Sequence, residues 1–350
     1  MYPNVIGQSQ SGEQERALLA RLGQPRSLEI RSSDNPLGAI WRDLQRLEGV
    51  QQASRLFERT ASEDSIKTFC AFIELADSYA AVAEEAETSL DPLLMYYAAM
   101  WLARGVIAVK LGIPAAELVK AHGAKPLPAA AGSFTLLGGT VTFARNGTLP
   151  RLAESLGGDR TEGVEFGLLE LLQALPEMDV VLRETQGLGT TALSTYVHPD
   201  ILRASNSKVS HIQVDFPGAS PDDVSSLPIS PALEKRGAKV VAIPGATPVI
   251  WDSSAAVEEE IATLFMRTAN GHFAESRIQG LYVPELVVYV AVLHALSEFT
   301  RYYPRKWLDA IARRDADYAL IREFMHFAER KVPELALNEL WQRTIVYRHA

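Results

Sequence analysis

The stretch FTRYYPRKW, residues 299–307, follows the most apolar run of the chain with three cations, two tyrosines and a tryptophan. Cations beside aromatic rings suit the holding of an anion, with guanidiniums on its oxygens and a ring for stacking. Pro304 disfavours helix at Tyr303 and can open a helix of its own, so the spacing predicts a tight corner between two helices. Arg301 near a helix C-terminus suits the macrodipole. Arg305 and Lys306, in the first turn of the next helix, do not, and they want a negative partner. Two kinds of partner fit. One is internal: Glu298, Asp309, Glu323 or an acid from the middle of the chain, with Tyr302, Tyr303 and Trp307 packing the corner. The other is a phosphate, a nucleotide or an RNA backbone at Arg301–Trp307. From Arg301 to Arg314 five cations (Arg301, Arg305, Lys306, Arg313, Arg314) face Asp309 alone, a local surplus that keeps the second partner open.

A stripe of Val287, Val290, Ala291, His294, Glu298 and Arg301 shares one helix face, apolar at its start and ionisable at its end. His294 and Glu298 have a metal-compatible spacing. Without a third ligand they read as a structural pair, and no metal or cofactor is expected. Arg104 interrupts another apolar helix beside Gly105, whose lack of a side chain permits close helix approach. A buried arginine needs a carboxylate, and Glu74 or Asp77 on the preceding antiparallel helix would supply it. Arg104 with His122 is the second site candidate. No P-loop, no three-glycine dinucleotide fingerprint and no G-x-S-x-G elbow occurs. Cys70 reads as core, and the acids at 222–223 and 258–260 as solvated faces.

The elements that must position these residues come from a chain of 350 residues, 47% hydrophobic and 22% charged, the composition of a soluble globular protein. Its net charge of −9 argues against wholesale wrapping of nucleic acid. A single cysteine and no cationic-then-apolar leader lead to the expectation of a cytoplasmic protein. LYVPELVVYVAVLHALSEF (281–299) approaches a membrane span in length. Glu285, His294 and Glu298 interrupt it, so it reads as a core helix and no membrane partner is expected.

The patterning predicts a mainly α fold: a helical bundle core carrying a mixed α/β insertion. Residues 1–35 read as a flexible segment and 36–130 as an N-terminal helical region. Residues 131–251 read as the insertion, and 252–350 as a C-terminal helical region packing back on the first. Ser62 is an N-cap, Asp91-Pro92 starts a helix and Gly112 ends it. Asn146-Gly147-Thr148 reads as a turn. SFTLL-GG-TVTFAR predicts a hairpin about Gly138-Gly139. Short helices are expected at 149–156 and 168–175, and strands at 211–216, 239–244 and 247–251. Helices then resume at 254–268, 284–303, 305–314, 317–331 and 334–344.

Four pieces together resemble the YaaC-like family: MYYAAMWLARGVIAVKLG with AHG (121–123), TLPRLAESLG to FGLLELLQALPEMD, YVPELVVYVAVLHALSEFTRYYPRKW, and EFMHFAERKVPELALNEL. The resemblance covers residues 36–342 and implies kinship more than chemistry. Residues 91–123 also resemble the helix pair of HEPN-type domains. That likeness implies a phage-defence setting and a metal-independent ribonuclease using an Arg-His pair, four to six residues apart. RTANGH (Arg267, His272) and RTIVYRH (Arg343, His349) have such spacings. Three functions follow as expectations: a binding or assembly component with a protein partner or self-association, that ribonuclease, and a nucleotide or phosphate sensor.

Overall fold

The computed structural model describes residues 27–57, 61–114, 117–118, 121–127, 137–197, 202–203, 210–216, 219–227, 239–240, 249–252, 266–268, 271–274 and 277–348. Its helices are α1 (Pro36–Gln45), α2 (Val50–Ala53), α3 (Glu63–Glu84), α4 (Asp91–Leu111), α5 (Thr148–Ser155), α6 (Leu168–Gln173), α7 (Asp179–Gln186), α8 (Pro221–Ser225), α9 (Glu285–Tyr302), α10 (Pro304–Arg313) and α11 (Ala316–Trp341). Its strands are β1 (Ser27–Ser32), β2 (Ala124–Leu127), β3 (Thr140–Phe143), β4 (Glu165–Gly167), β5 (Leu193–Val197), β6 (Leu202–Arg203), β7 (Ser210–Asp215), β8 (Lys239–Val240), β9 (Val249–Asp252), β10 (Met266–Thr268), β11 (Gly271–Ala274) and β12 (Arg343–Arg348).

The centre is α4. Its sequence is apolar on every side, so it must be enclosed by other elements. α3, α5, α9 and α11 enclose it. Among the described helices it alone is long and apolar enough to cross a membrane, and 72% of that apolar window is buried within the protein. Gly105 lets α3 come close, since a Cβ there would stand 3.2 Å from the Phe69 ring. One continuous core joins Phe69, Ile73, Met95 and Leu102 from the first third to Val287, Leu293, Phe324 and Leu337 from the last. Helices from the two ends of the chain thus share one hydrophobic core.

Element ends follow local chemistry. The Ser62 hydroxyl accepts from Ser65 N at 3.2 Å, and Gly112 closes α4 at φ 62°. Asp91 is the first residue of α4, with Leu90 in the capping position, one residue before the expected cap. α11 runs unbroken through Pro333, where two helices were expected. The proline removes one helical N–H donor. Ala328, Val332, Ala336, Leu337 and Leu340 on both sides are buried and hold the helix on the core.

A charged triad lies inside that core. Lys331 of α11 places Nζ 3.0 Å from Glu177 and 3.0 Å from Glu285, all three buried. Burial opposes the charge on Lys331, but the carboxylates of Glu285 and Glu177 outweigh it and keep the ammonium protonated. The triad fastens the turn at Pro176–Met178 to the start of α9 and to α11.

The termini depart most from expectation. Residues 27–32, expected within a flexible segment, form β1 and pair in parallel with β12, from Ser27 opposite Arg343 to Ser32 opposite Arg348. Asp43 of α1 anchors the pair by accepting from Tyr347 and Arg31, and from Arg46 at 2.7 Å. Arg343 and Thr344, which open β12, were expected to end a helix, because the partner of this strand lies about three hundred residues away, beyond any local pattern.

The middle segment carries two sheets. β2-β3-β4 is antiparallel, and β3, the second arm of the expected Gly138-Gly139 hairpin, pairs with β2 and β4, while residues 133–136 of the first arm lie outside the described residues. The larger sheet runs β10-β11-β5-β7-β9-β8, with β6 also on β7. It draws in residues 266–268 and 271–274, which lie past the expected boundary at 251. Of the helix expected at 254–268, residues 254–265 lie outside the described residues and 266–268 are β10.

Candidate functional site

Two helices of the core each bring one ring and one guanidinium to the same place. On α4 these are Tyr96 and Arg104, and on α9 they are His294 and Arg301; within each pair the residues are about two turns apart. His122 supplies a third ring from the loop before β2. The Tyr96 hydroxyl lies 2.6 Å from His122 Nδ1. The His294 ring stands 4.9 Å from the Tyr96 ring and 5.4 Å from the His122 ring, centroid to centroid. Both arginines act electrostatically on Tyr96 and on His122. The two site candidates of the sequence, Arg104 with His122 and the corner at Arg301, are thus one cluster.

The loop bearing His122 is set by backbone approach. Gly123 (φ 87°) and Gly147 (φ 141°) touch so closely that a Cβ on Gly147 would lie 2.2 Å from the Gly123 Cα. That contact brings the first N–H groups of α5 onto this loop. Thr148 N donates to Ala121 O at 2.9 Å, and Leu149 N to His122 O at 3.1 Å. Asn146-Gly147-Thr148 is therefore a turn with a positional task. Side-chain-free residues are needed where two backbones meet at positive φ.

Burial and cations together fix the protonation of the rings. The Tyr96 hydroxyl is pushed well above its ordinary range, chiefly by burial, and stays a phenol. Burial, then Arg301 and Arg104, pull His122 below the usual imidazole value. His294, 2% exposed, is lowered to about 4, mainly by burial, so it is neutral at physiological pH. Its Nε2 lies 3.2 Å from the Ala124 carbonyl, an acceptor only, so Nε2 carries the hydrogen and Nδ1 the lone pair. A half-buried neutral His122 can accept a proton. The guanidiniums can hold oxyanion oxygens.

The structure distributes the other candidates differently. Arg301 pairs with Glu298, the first internal partner expected, and its guanidinium also lies 5.1 Å from the Tyr302 ring. Trp307 is 1% exposed and donates from Nε1 to Ser89 O at 2.9 Å, so it packs the corner. Tyr303 is half-buried with Lys306 5.8 Å from its ring, while Tyr302 is 64% exposed and Arg305 is exposed. α10 has no acid in its first turn. The expected cation surplus shrinks, because Arg301 pairs with Glu298 and Arg313 with Asp315, both just outside the span counted.

Three expectations are corrected. Arg104 does not pair with Glu74 or Asp77. It lies 4.8 Å from the Trp101 ring, and Asp77 instead accepts from Gln45 at 3.0 Å. His294 and Glu298 do not form a pair, since His294 turns to Ala124 and Glu298 to Arg301. Among the described residues no three His, Cys, Asp or Glu are placed to hold a metal. Arg267 and His272 are not helical neighbours; they face each other across the β10–β11 hairpin. His349 lies outside the described residues. Sequence reasoning missed Tyr96, whose only signal was a paired tyrosine eight residues before Arg104 on a largely apolar helix.

A family model described as YaaC-like Protein matches residues 39–340. No curated protein and no solved structure matches the chain.

Proposed function

The chain belongs to the YaaC-like family, and we propose that it works as a binding protein for a phosphate-bearing ligand held at the cluster of Tyr96, His122, His294, Arg104 and Arg301. One observation carries this reading: the guanidiniums of Arg301 and Arg104 both act electrostatically on the half-buried His122 imidazole and on the Tyr96 phenol, rings that carry no charge of their own. Guanidiniums are the side chains best shaped for phosphate oxygens. Glu298 keeps Arg301 in place until an anion competes for it. The exposed Tyr302, beside Arg301, offers a face on which a base stacks. The test is titration of the full chain with pyrophosphate, a nucleoside monophosphate and a short single-stranded RNA. Saturable binding that falls at least tenfold in Arg104→Gln and in Arg301→Gln supports the reading. Equal affinity in all three proteins rejects it.

A second reading, metal-independent cleavage of RNA, is favoured by the Tyr96–His122 contact, which orients a neutral imidazole beside the two cations. In that reaction His122 takes the proton of a 2′-hydroxyl. The 2′-oxygen bonds to phosphorus as the bond to the 5′-oxygen breaks, and the leaving oxygen takes a proton from water. The guanidiniums stabilise the extra charge at phosphorus. RNA incubated with wild type and His122→Ala separates the readings. Cleavage by wild type alone establishes the enzyme; binding without cleavage leaves the binding protein.

A further inference from the structure

α1, α3, α4 and α11 border a separate cavity of about 270 Å³, and none of the ring-cluster residues lines it. Half-buried Trp41 and buried Met95 give it apolar wall; Asp77, Glu84 and Glu329 give it three carboxylates against the guanidinium of Arg42. Asp77 accepts only a neutral amide hydrogen, from Gln45. Glu84 and Glu329 have no salt bridge among the described residues. Next to the wall stands Asp91, one turn before Met95 on α4, 8% exposed and with a buried Oδ1 that has no hydrogen-bond partner. Burial raises the Asp91 carboxyl, and Glu329 raises it further. Burial likewise raises Glu329, with Glu84 adding to it and His326 opposing. Acids thus outnumber the single lining guanidinium at this cavity.

We infer that this cavity is a binding site for a small organic cation, an alkylammonium with an apolar body. An indole face and carboxylates at the edge of an apolar pocket are the combination that recognises such a group, through cation–π attraction and ion pairing together. A bare metal ion fits less well, because no three acids among the described residues are placed to share one. The volume suits a short aliphatic amine.

The experiment is calorimetric titration of the full chain with spermidine and with tetramethylammonium, at fixed ionic strength, with Mg²⁺ as the comparison. Saturable amine binding is expected, weakened at least tenfold by Trp41→Leu and by Glu329→Gln, and unchanged by Arg301→Gln. If Trp41→Leu does not fold, Glu84→Gln, an exposed position, takes its place with a smaller expected loss. Amine binding no tighter than that of Mg²⁺, or indifferent to these substitutions, overturns the inference.

Discussion

Two groups of polar side chains sit inside the helical body, and they are built in opposite ways. Lys331, Glu177 and Glu285 are all buried and answer one another's charge across 3.0 Å. At the ring cluster, Arg301 and His122 are only half-buried, and the cations bear on rings that carry no charge. The first arrangement is closed, so its effect is on stability and on which elements pack together. The second is open: Arg301 pairs with Glu298 at a half-exposed position, where an incoming anion can compete for the guanidinium. Burial alone does not separate a structural network from a site; charge balance and access do.

Breaking the closed group gives the largest effect. Lys331→Met leaves two buried carboxylates without their cation, and the loss expected from chemical denaturation is about 3–5 kcal/mol. Adding Glu177→Gln and Glu285→Gln restores part of it. Unchanged stability in the single variant would remove the contrast between the two groups.

Asp91 sharpens the comparison as a buried acid with no ion pair among the described residues. Its carboxyl is raised from 3.8 to about 7 by burial and then by Glu329. Between those values the folded chain holds a proton that the unfolded chain has released. Stability is therefore greatest at the acid end of the window and falls as pH rises towards 7, by at most on the order of 3–4 kcal/mol. Asp91→Asn should flatten that slope in melts recorded from pH 4 to pH 8, and an unaltered slope would place the titration elsewhere.

Gly147→Ala comes next, since a Cβ there meets the Gly123 backbone at positive φ. We expect about 1–3 kcal/mol of destabilisation, together with weaker phosphate binding because the His122 loop shifts. The smallest effect on stability belongs to the open group. Arg301→Gln removes a partly exposed pair and should cost under about 1 kcal/mol, while phosphate affinity falls at least tenfold. Arg305→Glu, on the exposed corner, should leave affinity within about threefold. If Arg305→Glu costs more than Arg301→Gln, the ligand sits on the corner surface and not at the rings.

Much of the helical frame was legible because each signal was local. Ser62, Gly112 and Pro304 mark ends, and the all-apolar run of α4 marks the centre. The β1–β12 pair was not, because its register depends on strands at opposite ends of the chain. The same holds for the site. Arg104, His122, His294 and Arg301 were each visible as polar residues in apolar settings. That Arg104 and Arg301 both act on Tyr96 depends on how α4 and α9 pack, and no spacing within either helix encodes that. Pro333 misled for a related reason: its local preference was outweighed by buried neighbours on both sides.

His122 lies within the electrostatic reach of Arg301 and Arg104, so its own titration reports directly on an anion bound by them. Followed by proton NMR of the ring, His122 should titrate below 6.5 in the free protein. Saturating pyrophosphate should move it upward, and Arg301→Gln should abolish most of that movement. A His122 titration that stays the same with and without pyrophosphate would contradict the account.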